Sequence, residues 1–221
     1  MTLAIFDLDN TLIAGDSDHL WGEFLIDQGI VDADGFKAAN DGFFQDYQDG
    51  RLDIFAYQEF VLGVLKGRPL NELDSLRQRY MDTVIDSIWL PAAEQLVAEH
   101  RARGDTLMII TATNDFITAP IAARLDVPWL IATQAATDAD GLYTGRVKGV
   151  PSYQHGKVER LSEWLAEHQE TLAGSYFYSD SHNDLPLLGK VDHPVAVDPD
   201  PTLERHAREK GWPILSLRAS S

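Results

Sequence analysis

Two aspartates, Asp7 and Asp9, follow the apolar run Leu3–Phe6 and are separated by one residue. In an extended chain their side chains point to the same side, so the two carboxylates repel each other and their pKa values are driven apart. A hard divalent cation removes this conflict, because it prefers oxygen ligands. The pair therefore predicts a metal site, although a single Asp-x-Asp is also a common turn or capping pair.

Two further polar residues end apolar runs that we interpret as strands. Thr111 ends the run 106–111, and Asp180 ends the run 174–180. Ligands of open α/β sheets bind at the carboxyl ends of the strands, so Asp7, Thr111 and Asp180 are expected at one edge of a sheet. Each residue alone also fits a strand-end cap or a turn.

The segments that must position these residues alternate between strands and helices. Apolar runs typical of strands occupy 3–6, 106–111, 127–134, 174–180, 193–198 and 212–217, and 137–145 has the composition of a hairpin. Helical segments are expected at 91–104, 115–125, 156–168, 183–190 and 201–211. This alternation predicts an α/β fold with a Rossmann-like parallel-sheet core and helices on both faces.

The segment between the first two core strands has a different pattern. Its apolar residues recur at helical spacing from about Asp18 to Gln78, without a convincing strand. We therefore expect a helical cap, residues 16–87, inserted after the first strand into a core formed by residues 1–15 and 88–221.

The composition narrows the classes of partner. The chain has 221 residues, a formal net charge of −17 and no cysteine. The negative charge argues against nucleic acid or an anionic membrane as partner, and the lack of cysteine excludes thiolate chemistry. The first ten residues lack a basic start, and no apolar run approaches the ~18 residues of a membrane span. We expect a cytoplasmic protein, and the sequence does not indicate an oligomeric state.

The ordered polar residues resemble the four motifs of the haloacid dehalogenase superfamily of phosphohydrolases, and the resemblance covers essentially the whole chain. The matching residues are Asp7, Asp9 and Thr11 for the first motif, Thr111 for the second, Lys157 for the third, and Asp180 with Asp184 for the fourth. One subgroup, which includes phosphoserine phosphatases, has its helical cap at the position of the insertion seen here.

The chain departs from the family pattern in two places. The fourth motif often begins with Gly-Asp, whereas here it is Ser179-Asp180, which leaves the metal ligand in place. The second motif often continues with glycines, whereas here it continues with Ala112, Thr113 and Asn114. This second departure affects the backbone N–H groups that would hold a phosphate, and we expect Thr113 and Asn114 to contact the substrate.

The resemblance implies a role for each motif residue. Asp7 is implied to be the nucleophile that forms an aspartyl-phosphate, and Asp9 the group that protonates the leaving alcohol and later deprotonates water. Mg²⁺ is implied to bind the Asp7 carboxylate, the Asp9 backbone carbonyl and Asp180.

Three further residues are implied to support this chemistry. Asp184 would support the metal or its waters, Lys157 would supply a fixed positive charge, and Thr111 a hydroxyl donor. Taken singly, Lys157 also fits a solvated residue at a helix start, and Asp184 a helix N-terminal acid.

Acidic residues directly after the first motif point to the kind of substrate. Asp16 and Asp18 would suit the cationic end of an amine-bearing phosphate ester, although Asp16 or Ser17 equally fits an N-cap of the first cap helix. Arg51 is a candidate for a substrate carboxylate or phosphate, or a surface residue. The cap is also rich in aromatic residues, most of them expected in its core and one or two at a substrate pocket.

The resulting hypothesis is an Mg²⁺-dependent phosphomonoesterase acting on a small, amine-bearing ester, with histidinol phosphate and phosphoserine favoured. A phosphotransferase using the same intermediate and a non-catalytic phosphoester-binding sensor remain alternatives. A dehalogenase is disfavoured, because that chemistry does not need Asp9 or a metal.

Overall fold

A computed structural model describes residues 2–218 as one seven-stranded sheet in the order β4-β3-β2-β1-β5-β6-β7. The strands are β1 Leu3–Phe6, β2 Thr106–Asn114, β3 Trp129–Thr137, β4 Tyr143–Lys148, β5 Tyr176–Ser179, β6 His193–Val197 and β7 Ile214–Leu215. All neighbouring strands pair in parallel except β3 and β4, which form the expected hairpin. The predicted α/β fold class is confirmed.

The described residues form nine α-helices. They are α1 Ser17–Asp27, α2 Ala33–Gln48, α3 Ile54–Gly63, α4 Leu70–Thr83, α5 Pro91–Ala102, α6 Asp115–Arg124, α7 His155–His168, α8 Leu185–Leu188 and α9 Pro201–Lys210. Short 3-10 helices occupy Ile85–Ile88 and His182–Asp184. None of the described helices combines the length and the apolarity that a membrane crossing requires.

Strand β1 lies in the middle of the sheet and is buried on both faces. Ala4 and Phe6 belong to one hydrophobic cluster, whereas Leu3 and Ile5 belong to another on the opposite face. This alternation follows from the two-residue period of a strand. It leaves Asp7, the next residue, at the carboxyl end of a strand that both layers hold in place.

Helices α1 to α4 occupy the chain between β1 and α5, where the cap was expected. Trp21 and Tyr80 of this segment share one hydrophobic cluster with Phe6 of the sheet. Ile13 and Trp89 form an antiparallel bridge where the chain leaves and re-enters the sheet layers. The helical segment therefore shares a core with the sheet, and its exact boundaries as a cap stay a prediction.

The contact between α1 and α2 depends on a glycine. A Cβ atom at Gly22 would lie 2.6 Å from both amide heteroatoms of Asn40, which is buried and donates to the His19 carbonyl at 3.0 Å. A Cβ atom at Gly42, on α2, would meet nothing within 4 Å.

These two glycines predict opposite effects of the same substitution. Gly22→Ala should destabilise the protein, because overpacking costs ~1–3 kcal/mol and exceeds the ~1 kcal/mol gained in helix propensity. Gly42→Ala, the matched control, should stabilise the protein by about 1 kcal/mol. Urea unfolding measures both, and a stabilised Gly22→Ala variant would show that α1 and α2 do not pack in this way.

Candidate active site

The carboxyl ends of three adjacent strands bring the predicted residues together. Asp7 and Asp9 follow β1, Thr111 lies near the end of β2, and Asp180 follows β5. The backbone N–H of Asp7 donates to the Tyr178 carbonyl at 2.9 Å, which extends the pairing of β1 with β5 beyond Phe6. The side chains that the motifs single out thus meet at one edge of the sheet.

Lys157, in the first turn of α7, is the buried cation of this cluster. Its Nζ atom lies 2.7 Å from Asp7 Oδ1 and 2.8 Å from an oxygen of Asp184, and the side chain is 4% exposed. A glycine precedes it because a Cβ atom at position 156 would lie 2.0 Å from the carbonyl oxygen of Pro151. The tight turn before α7 therefore directs Lys157 between the two carboxylates.

The carboxylate of Asp9 is held between the helical segment and the sheet. Its Oδ1 atom accepts the backbone N–H of Ser17, at the start of α1, at 2.6 Å. Its Oδ2 atom accepts the hydroxyls of Thr113 at 2.8 Å and Thr111 at 3.3 Å. Both threonine hydroxyls therefore contact Asp9 and hold it at the floor of a pocket.

Thr11 occupies the space between two carboxylates that could share a metal. Its hydroxyl oxygen lies 3.2 Å from Asp7 Oδ2 and 3.2 Å from Asp180 Oδ1, and accepts the backbone N–H of Asp180 at 3.0 Å. Within residues 2–218, no three Asp, Glu or His side chains form a metal cluster on their own. A pair of facing carboxylates nevertheless fits Mg²⁺, which typically takes one or two carboxylates and completes its shell with water and phosphate oxygens.

The carboxylates perturb one another. Burial raises the pKa of Asp7 to about 7, with Asp184 and Asp9 adding to the rise and Lys157 opposing it. Burial, together with the charges of Asp7 and Asp184, also raises the pKa of Asp180 well above its usual value. Although burial alone would lower it, Asp184 and Asp7 hold the pKa of Lys157 above its usual value. The cluster thus has a deficit of positive charge that a bound cation would fill.

The pKa of Asp9 is perturbed in a way that suits proton transfer. Burial, with the charge of Asp16, raises it to about 6, against hydrogen bonds from Ser17 and Thr113. A carboxyl group with this pKa can exist in either protonation state near neutral pH.

A pocket opens between these acids and the helical segment. Its lining residues are Asp7, Asp9, Asp16, Asp18, Phe43, Phe44, Tyr47, Leu52, Ile54, Tyr57, Ala112 and Thr113. Four carboxylates therefore face a wall that is mainly apolar and aromatic.

The other residues predicted to contact the substrate occupy different positions relative to the pocket. Asp16 caps α1, accepting the N–H groups of Asp18 and His19 at 3.0 and 2.8 Å, which confirms the capping interpretation. Asp16 also lines the pocket, and its contact with a substrate stays a prediction. Asp18 is buried and lines the pocket. Asn114 lies behind the pocket, where its amide donates to Asp18 at 3.3 Å.

Arg51 is not brought to this pocket. Its guanidinium is exposed and pairs with Asp46 at 3.0 Å and Asp49 at 2.6 Å, two acids of its own segment. These local ion pairs match the alternative in which Arg51 is a surface residue.

Sequence reasoning missed the role of Ser179. Its hydroxyl donates to Asp184 Oδ2 at 2.7 Å and thereby fixes the carboxylate that holds Lys157. The signal was present, because Ser179 stands where the family often has glycine. Thr11 was matched to the first motif without a role, and the structure shows that it spaces Asp7 from Asp180.

Comparison with known proteins yields one family and several close relatives. Residues 4–189 match the family model of haloacid dehalogenase-like hydrolases. A histidinol-phosphatase of Neisseria meningitidis serogroup C is 47% identical over 219 residues, covering 98% of this chain and 99% of the relative. A phosphoserine phosphatase of Mycobacterium tuberculosis is 33% identical over 219 residues, covering 97% of this chain and 70% of the relative. A solved structure from Bordetella pertussis Tohama I, of a protein of unknown function, has a TM-score of 0.92 and 41% identity, covering 99% of this chain and 100% of that one.

Asp7 should give the folded protein a measurable pH dependence. Because its pKa is about 7 in the folded protein against an ordinary value of 3.8, the folded state binds the proton more tightly than the unfolded state. This stabilisation is complete below about pH 4 and is lost as the pH rises to about 7. In metal-free buffer, the free energy of unfolding from urea titrations should therefore fall less steeply with pH in Asp7→Asn than in wild type. Equal slopes would show that Asp7 does not titrate in this range.

Proposed function

The chain belongs to the haloacid dehalogenase-like hydrolase family, and on this premise we propose that it is an Mg²⁺-dependent phosphomonoesterase that works through an aspartyl-phosphate. The observation that supports this most is the placement of Asp7 against Lys157 at 2.7 Å, at the floor of a pocket that Asp9 also lines. A nucleophile, a proton donor and a fixed positive charge are thereby within reach of one phosphoryl group.

In the first half-reaction, an oxygen of Asp7 attacks phosphorus and the bond from phosphorus to the ester oxygen breaks. Asp9 donates its proton to the departing alkoxide, which leaves as the alcohol. Ser17 and Thr113 hold the Asp9 carboxyl group in place for this transfer.

In the second half-reaction, water attacks phosphorus and Asp9 takes up its proton. The bond between phosphorus and Asp7 breaks, which releases inorganic phosphate and restores both carboxyl groups. Lys157 opposes the rise in the pKa of Asp7 and orients its carboxylate for attack, because Lys157 is fixed from the other side by Asp184. We propose that the Thr111 hydroxyl, which donates to Asp9 at 3.3 Å in this structure, turns to donate to a phosphoryl oxygen when substrate binds.

We propose that Mg²⁺ binds the carboxylates of Asp7 and Asp180 and the backbone carbonyl of Asp9, with Asp184 in support. When bound, it neutralises the charge between the Asp7 carboxylate and the phosphoryl oxygens. The Asp9 carboxylate itself is engaged by Ser17 and Thr113, which is consistent with a metal contact through its backbone only.

The substrate is proposed to be a small phosphate ester that carries an amine. Asp16 and Asp18 line the pocket next to Asp9 and suit a cationic nitrogen. The relatives are named histidinol-phosphatase and phosphoserine phosphatase, and both of these esters contain an amine. Histidinol phosphate and phosphoserine are therefore the favoured candidates.

Phosphate release from a panel of phosphate esters tests this proposal. Wild type should turn over at least one amine-bearing ester with Mg²⁺ and lose activity in EDTA. Asp7→Asn should lose at least about 10³-fold in kcat, because the amide cannot act as the nucleophile. Asp34→Asn is the matched control, since Asp34 is exposed on α2 and outside the pocket. Full activity of Asp7→Asn, or activity unaffected by EDTA, would contradict the mechanism.

A further inference from the structure

The ionisable side chains that line the pocket are mainly acidic. Its lining includes the carboxylates of Asp7, Asp9, Asp16 and Asp18, and among the described residues it includes no lysine, arginine or histidine. Lys157 is 4% exposed and engaged by Asp7 and Asp184, behind the pocket floor. A negative group at the end of the substrate away from the phosphate would therefore find carboxylates and no cation.

Asp18 is the most deeply buried of the acids that line the pocket. It is 3% exposed, and its carboxylate accepts the uncharged amide of Asn114 at 3.3 Å. A buried carboxylate is costly without a positive partner. Burial raises the pKa of Asp18 well above its usual value. A substrate cation placed there stabilises the ionised carboxylate, whereas a substrate carboxylate finds no positive partner.

The facing wall suits a flat group. Phe43, Phe44 and Tyr57 line it, and their rings are held by neighbours. His19 stacks on Phe44 with the ring centroids 4.4 Å apart, and Phe43 lies 5.4 Å from Tyr57. Aromatic faces favour planar rings and cations, so this wall offers a place for an unsaturated nitrogen ring beside the acids.

Resting on the proposed phosphatase function, we infer that the pocket selects phosphate esters of amino alcohols that bear a flat ring and no carboxylate, and that Asp18 determines this charge preference. The selection separates the two favoured candidates, because phosphoserine bears a carboxylate and histidinol phosphate bears an imidazole ring. Arg51 does not restore a carboxylate site, since it pairs with Asp46 and Asp49 outside the pocket.

The matched pair phosphoethanolamine and phosphoserine tests the charge preference, because the two esters differ only by the carboxylate. Because the acids that line the pocket disfavour a second negative charge, wild type should favour phosphoethanolamine by about tenfold or more in kcat/KM. Asp18→Asn should lower the ratio of kcat/KM for phosphoethanolamine to kcat/KM for phosphoserine.

A gain of function provides a second test. Ile54→Arg places a guanidinium at the pocket wall and should shift the ratio toward phosphoserine by about tenfold, whereas the matched control Ile54→Met should not. The ratio of two esters on one variant is independent of how much of that variant is folded.

The ring preference has its own comparison. Wild type should use histidinol phosphate at least about tenfold better than phosphoethanolamine, because the imidazole adds contact with the aromatic wall. Tyr57→Leu should reduce this advantage.

The outcomes separate the inference from the proposed function. Suppose that the protein hydrolyses the generic ester p-nitrophenyl phosphate but uses phosphoserine as well as or better than phosphoethanolamine. This result overturns the proposed charge preference and leaves the proposed phosphatase function standing. Failure to hydrolyse any ester, p-nitrophenyl phosphate included, in the presence of Mg²⁺ overturns the proposed function and the selection with it.

Discussion

The buried contact of Lys157 with Asp7 and Asp184 is the interaction on which the rest of the site depends. Three charged groups are expensive to remove from water, and such a cluster persists only when its hydrogen bonds are well formed. Here Gly156, in the first turn of α7, lets the helix that carries the lysine approach the Pro151 carbonyl closely, and the Ser179 hydroxyl fixes Asp184. The fold thereby holds a nucleophilic carboxylate and its cation together although they are 150 residues apart in the chain.

The helical segment completes this site as well as covering it. Its first helix binds Asp9 through the Ser17 N–H, and Tyr80 of its last helix donates to the Ser17 carbonyl at 2.7 Å. On the other side, the Asn183 amide donates to the Tyr47 carbonyl at 3.1 Å, which connects α2 to the segment between Asp180 and Asp184. The orientation of the proton donor and the shape of the pocket therefore depend on the same packed helices.

Much of the fold and the polar cluster could be predicted from the sequence. The ends of the apolar runs predict where the strands end, and the order of the motifs predicts which residues the strands bring together. Asp7, Thr111 and Asp180 lie at one edge of the sheet as the strand ends indicated, and Lys157 joins Asp7 there as the family resemblance implied. For Arg51 the sequence offered a substrate contact or a surface position, and the ion pairs with Asp46 and Asp49 at the end of α2 agree with the surface position.

Long-range contacts set a limit on prediction. Asn114 contacts Asp18, 96 residues away in the chain, and Phe43 and Phe44 line the pocket because of how α2 packs on α1.

A crystal structure with Mg²⁺ and beryllium trifluoride, which mimics a phosphoryl group on an aspartate, tests the proposed mechanism most directly. We expect the fluoride complex on the Asp7 carboxylate, Mg²⁺ on Asp7 and Asp180, and Lys157 still in contact with both Asp7 and Asp184. An adduct on Asp9, or a metal bound away from Asp7 and Asp180, would contradict it.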